Sequence, residues 1–114
     1  MPVIYKIVPT ALWRQAEANG VFYGSDDDRR DGFIHFSTAA QIETTAAKHF
    51  AGQNDLLLVS VDTARLGPAL RWEPSRGGAL FPHLYGALDL GTVIRVQKVQ
   101  LSVEGRHLFP ALEH

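Results

Sequence analysis

The sequence predicts a single small α+β domain, with helices early in the chain packed on a mainly antiparallel sheet. Two capped helical stretches fall within the first fifty residues, the later half reads as strands, and regular βαβ alternation is missing. With 114 residues, 46% of them apolar and 20% charged, the chain can bury a core without metal or disulfide support. Residues 1–111 read as one domain, and Leu112-Glu113-His114 as the remnant of a vector-derived tag.

Val3 to Val8 is rich in β-branched residues and gives the first strand. Thr10 is placed to cap a helix over Ala11 to Ala18, Asn19-Gly20 to end it, and Leu12, Trp13 and Ala16 to form its buried stripe. Residues 20–31, including Ser25-Asp26-Asp27-Asp28-Arg29-Arg30, show no apolar period and are expected as a solvated loop. Phe33 to Phe36 is a second, short strand. Ser37 or Thr38 then caps a helix running to about Phe50, with Ile42, Ala46 and His49 on its inward face and Gly52 as its stop. Asp55 to Asp62 is a nearly continuous apolar run, the pattern of a mid-sheet strand covered on both faces. Leu70 to Glu73 is a shorter strand ended by Pro74, and Thr92 to Val103 alternates as a long strand or bent pair with one wet face.

A formal net charge of −1 argues against an extended nucleic-acid surface, although a local basic pocket is compatible with it. The chain has no cysteine, which excludes disulfides, thiolate catalysis and sulfur-based zinc sites and fits a reducing cytoplasm. No apolar run approaches the roughly 20 residues of a membrane span, and no signal peptide is visible, so a cytoplasmic protein is expected. Dinucleotide, P-loop and H-E-x-x-H signatures are absent, and Asp26, Asp27 and Asp28 lack EF-hand spacing, so no metal site is expected.

Chemistry concentrates in two polar islands. His35 and Ser37 lie inside an apolar strand, where an unpaired polar group costs on the order of 1–3 kcal/mol, so the fold or a ligand must partner them. Strand alternation puts both on one face. His83 and Tyr85 have the same spacing within Phe81-Pro82-His83-Leu84-Tyr85-Gly86, a segment expected to be extended or turned after Pro82. Together they predict a concave site, with His35 as acid, base or donor to ribose or phosphate. Glu73, at a strand end, is placed to polarise a ribose hydroxyl or stabilise an oxocarbenium-like centre, or else to pair with Arg71 or Arg76. Lys6 offers a point charge for phosphate or a stem that snorkels to solvent. Trp72 and His49 read as packed residues, Arg76-Gly77-Gly78 as a weak phosphate cradle, and His107 and His114 carry no weight.

Ile4-Tyr5-Lys6-Ile7 with Trp13, Gly32-Phe33-Ile34-His35-Phe36-Ser37-Thr38 with Gln41, Trp72-Glu73, and Phe81-Pro82-His83-Leu84-Tyr85-Gly86 together resemble the family known as domain of unknown function 952. That family looks like a compact relative of the ADP-ribosyltransferase-like fold, which binds NAD in a cleft between two short sheets. The resemblance implies a split sheet, with Lys6 in the first-strand role, Ser37 and Thr38 contacting the dinucleotide, and Glu73 or the His83-Tyr85 pair in the third motif. Lys6 departs from the arginine or histidine of that pattern, and no Glu-x-Glu or Gln-x-Glu pair accompanies Glu73.

The expected function is therefore a nucleotide- or NAD-binding domain, with NAD as ligand or substrate, no required cofactor, and possible action at an ADP-ribosyl or nicotinamide-ribose bond. His35, Glu73 and His83 are the candidate catalytic residues; Lys6, Ser37, Thr38 and Tyr85 the candidate binding residues. Two alternatives stand beside it. One is a metal-independent phosphoester enzyme with His35 and His83 as acid and base; the other is a noncatalytic small-ligand sensor.

Overall fold

A computed structural model describes residues 2–113; His114 and the Arg76 side chain lie outside the described part. In chain order the elements are β1 (Val3–Pro9), α1 (Thr10–Asn19), β2 (Val21–Phe22), α2 (Asp26–Asp31), β3 (Ile34–His35), α3 (Ile42–His49), β4 (Leu56–Asp62), β5 (Leu70–Pro74), β6 (Leu80–Leu84), β7 (Leu88–Asp89), β8 (Val93–Leu101) and β9 (His107–Leu108). The α+β class holds, with the three α-helices among the described residues complete by His49.

The apolar run of β4 lies between β1 and β8 in a four-stranded antiparallel sheet ordered β1-β4-β8-β9. Strand alternation explains why the run is apolar at nearly every position. Leu57, Val59 and Val61 face one core with Ile4, Val8, Trp13 and Phe22, and Leu56 and Leu58 face another with Tyr5, Ile7, Ile42 and Ala46. α1 covers the first side and α3 the second.

A second sheet, ordered β3-β6-β5, turns Ile34 and Leu84 into the first core. Next to it, Ser37 forms an isolated antiparallel bridge to Tyr5 of the larger sheet. Pro82 explains the break. The Phe36 N–H donates to the Pro82 carbonyl at 3.0 Å, but proline has no N–H to return, and one residue later the chain pairs with β1 instead.

Several local expectations are corrected. Thr10 lies inside α1 after an N-cap at Pro9, and its hydroxyl donates to the Asp55 carbonyl; Gly20 ends the helix in the left-handed region as expected. Residues 20–31 are no loop but carry β2 and α2. α3 starts at Ile42 and is not capped by a Ser37 or Thr38 side chain, and His49 at its end is exposed. The island around His83 is the central strand β6, flanked by edge strand β5, whose Trp72 is 42% exposed and not a core residue. Leu112 packs on the second core, and the Tyr5 hydroxyl accepts from the Glu113 N–H at 2.6 Å and donates to its carbonyl at 3.0 Å.

Candidate functional site

Sheet register gathers the polar groups. β6 sets His83 opposite His35 on one side and opposite Arg71 on the other, with Glu73 opposite Phe81. Opposed residues, and residues two apart, share a face. His35, Arg71, Glu73, Phe81 and His83 therefore project from one side of the small sheet, while Ile34 and Leu84 fill the core behind it.

His83 is 5% exposed and its Nδ1 sits 2.8 Å from Glu73 Oε1. The Tyr85 hydroxyl donates to the same oxygen at 2.7 Å. These bonds, Tyr85's first and His83's second, hold the Glu73 carboxyl below its usual range, and the bond to Glu73 pushes the Tyr85 phenol up. With Nδ1 donating to a carboxylate, the neutral tautomer of the imidazole carries its lone pair on Nε2, the arrangement of a general base. Phe33 stacks on the His83 ring at 4.1 Å and packs against His35 at 4.6 Å and Tyr85 at 5.1 Å, fixing all three rings.

His35 is held differently. Its Nδ1 lies 2.6 Å from Asp28 Oδ1 and its Nε2 3.0 Å from Asp31 Oδ2. Both carboxylates belong to α2, a six-residue helix whose start follows from Ser25-Asp26-Asp27-Asp28. Ser25 Oγ accepts from the Asp28 N–H and the Asp28 side chain accepts from the Ser25 N–H, a reciprocal capping box, and Gly32 ends the helix in the left-handed region at φ 85°. One face of α2 thereby points Asp28 into the protein, where it is 2% exposed, while Asp26 and Asp27 stay in solvent.

Asp28 also receives the Lys6 ammonium at 3.0 Å and the His35 backbone N–H at 3.1 Å. Burial alone would raise its carboxyl. The His35 ring, the Lys6 charge and the two backbone N–H groups outweigh burial and hold it far below the usual carboxylate range. Burial pushes the Lys6 ammonium down, with the Asp28 charge holding it back. Lys6 neither snorkels nor stands ready for phosphate. Its ammonium donates to Asp28 and, at 2.9 Å, to the His35 carbonyl, filling the gap where the two sheets part.

Between β1, α2, α3 and β6 lies a cavity of about 280 Å³. Arg30, Asp31, His35 and His83 line its polar part, and Ile7, Ile42, Phe50 and Phe81 its apolar part. The structure thus brings His35 and His83 into one pocket, their rings edge to face at 5.5 Å. Glu73 and Tyr85 stand behind His83, and Glu73 pairs with these two groups; of the arginines the sequence offered as its partner, the Arg76 side chain lies outside the described part. Ser37 is on the wall but 3% exposed, its hydroxyl bonded to Thr45 at 2.8 Å. Thr38 is not on the wall; its N–H donates to the Gln41 side chain. Asp28, Asp31 and Phe33 escaped the sequence reading, although Ser25-x-x-Asp28 followed by Gly32 was a readable helix start and stop. Among the described residues, no group of three or more His, Asp or Glu side chains is arranged to hold a metal ion.

The family described as protein of unknown function (DUF952) matches residues 7–96. This chain is a DUF952 protein. The matched stretch carries α2, His35, Glu73, His83 and Tyr85. The DUF952 chain is similar to the crystal structure of protein CC0527 from Caulobacter crescentus, a structural genomics target, with 47% identity over 93% of each chain and a TM-score of 0.90. It is likewise similar to the solution NMR structure of CC0527, at 48% identity over 93% of this chain and 91% of that one, with a TM-score of 0.84. No curated protein matches it. No helix among the described residues is long and apolar enough to cross a membrane.

Proposed function

We propose that the cleft of this DUF952 protein binds a nucleotide-type ligand, NAD or an ADP-ribosyl compound, and that His83 acts as acid or base at the ribose. The observation that carries this reading is the Glu73-held His83 beside His35 on the wall of one cavity, at the line where the sheet divides. A split sheet with a cleft at the division is the arrangement that the ADP-ribosyltransferase resemblance implies. The cavity, about 280 Å³, is just below the roughly 300–1,000 Å³ typical of ligand pockets, so it takes one ring and its sugar, with the rest of a dinucleotide lying outside.

The residue roles shift accordingly. Glu73 is a positioning residue that acts through His83, not a group aimed at the ribose. Lys6 and Ser37 bind internal partners, so recognition from that wall falls to His35. A phosphoester enzyme using both histidines is the second reading, favoured by their shared pocket, and it requires each histidine equally.

Thermal unfolding against NAD, ADP-ribose, AMP, cyclic nucleotides and phosphate tests the proposal. At about 100 times its dissociation constant, NAD or ADP-ribose is expected to stabilise the protein by about 2.7 kcal/mol, a shift of several degrees, and His35→Ala to abolish the shift while staying folded. Incubation with the hit separates enzyme from sensor by product formation, and Glu73→Gln is expected to slow turnover while binding persists. No shift with any nucleotide would overturn the reading.

A further inference from the structure

Asp31 occupies a place that nothing above assigns. As the last residue of α2 it is exposed and lines the cavity. Its Oδ2 sits 3.0 Å from His35 Nε2 and its Oδ1 3.4 Å from Arg30 Nε, while the other side of that guanidinium pairs with Asp27 at 3.1 Å, so one small carboxylate is held between an imidazole and a guanidinium at the cavity wall. Asp28 already takes His35 Nδ1 at 2.6 Å. Two acceptors, one on each side of the ring, are satisfied only by an imidazole that donates from both nitrogens. Nε2 of His35 therefore faces a carboxylate as a donor, whereas His83 holds its carboxylate through Nδ1, and the two histidines are set for different tasks.

We infer that His35 and Arg30 form an anion subsite which Asp31 fills from within, and that the phosphate or carboxylate of a ligand binds by taking Asp31's place. The charge-assisted bonds around the Asp31 carboxylate are those a phosphate oxygen would make. Asp31 is free to yield because its carboxylate is bound to no other described group, whereas Asp28 is buried and fixed by Lys6 and Ser25. The inference rests on the proposed nucleotide cleft and deepens it by placing the ligand's anionic group at His35 and its reacting centre at His83.

The test measures binding of inorganic phosphate, AMP and adenosine by NMR titration and calorimetry to the wild-type chain, Asp31→Asn, Asp31→Ser and His35→Ala. Removing the internal competitor is expected to tighten phosphate and AMP at least fivefold in both Asp31 variants, to leave adenosine unchanged, and His35→Ala is expected to weaken phosphate and AMP tenfold or more. Nucleotide binding that the Asp31 substitutions leave unchanged or weaken would overturn the subsite alone. Binding of none of the three probes to any folded variant would overturn both the subsite and the cleft reading. Equal tightening of adenosine would show that Asp31 merely blocks the entrance, and would also overturn the subsite.

Discussion

At 2% exposure, the Asp28 carboxylate gathers the Lys6 ammonium, the His35 ring and two backbone N–H groups. Substituting Asp28→Asn removes the charge, leaves Lys6 buried without its counter-ion, and is expected to cost about 3–5 kcal/mol in denaturant unfolding. The sign of its pH dependence follows from the carboxyl being held far below its unfolded value of about 3.9. Its stabilisation is complete above that value and is lost as pH falls toward the lower folded value. Acidification below about pH 4 is thus expected to destabilise the wild-type protein more steeply than Asp28→Asn, as read from stability measured across that range. The sequence hid this residue because three consecutive aspartates beside two arginines have the composition of a solvated run, and only the turn of α2 separates Asp28 from its neighbours. His35 and His83 were legible for the opposite reason, as polar groups in apolar surroundings.

A six-residue helix with no apolar stripe has little stability of its own, so α2 is held by its ends and by Asp28. Removing the cap with Ser25→Ala is expected to cost about 1 kcal/mol in equilibrium unfolding, well under the cost of Asp28→Asn. An equal cost would mean that the cap, not the buried carboxylate, anchors the helix. β6 was obscured by its own sequence, since Pro82 within Leu80–Leu84 argues against a central strand. The proline is accommodated because its missing donor falls where β3 leaves the ladder. The hydrophobically patterned β1, α1 and β4, by contrast, were readable to within a residue or two, because each buries a continuous face.

Across the whole molecule, stability depends most on the two cores that share β4. Leu58 is fully buried in the second of them, and Leu58→Ala is expected to cost about 2–5 kcal/mol and to lower the melting temperature by roughly ten degrees or more. Calorimetry of the folded variant checks this. The α+β class and the mid-sheet position of β4 were legible because they depend on patterning alone. The convergence of His35, Glu73 and His83 was not, because it depends on strand register, and register is fixed by pairing between segments far apart in the chain. That distance has a kinetic consequence. β1 pairs with β4 from Val3 opposite Asp62 to Pro9 opposite Leu56, so the wall that carries Lys6 waits for a long loop to close. Loop-closure entropy must be overcome before such contacts stabilise anything, and it slows folding. The cleft is accordingly a late product of folding, and a nascent chain cannot form it until β6, which carries His83, has emerged as well as β4.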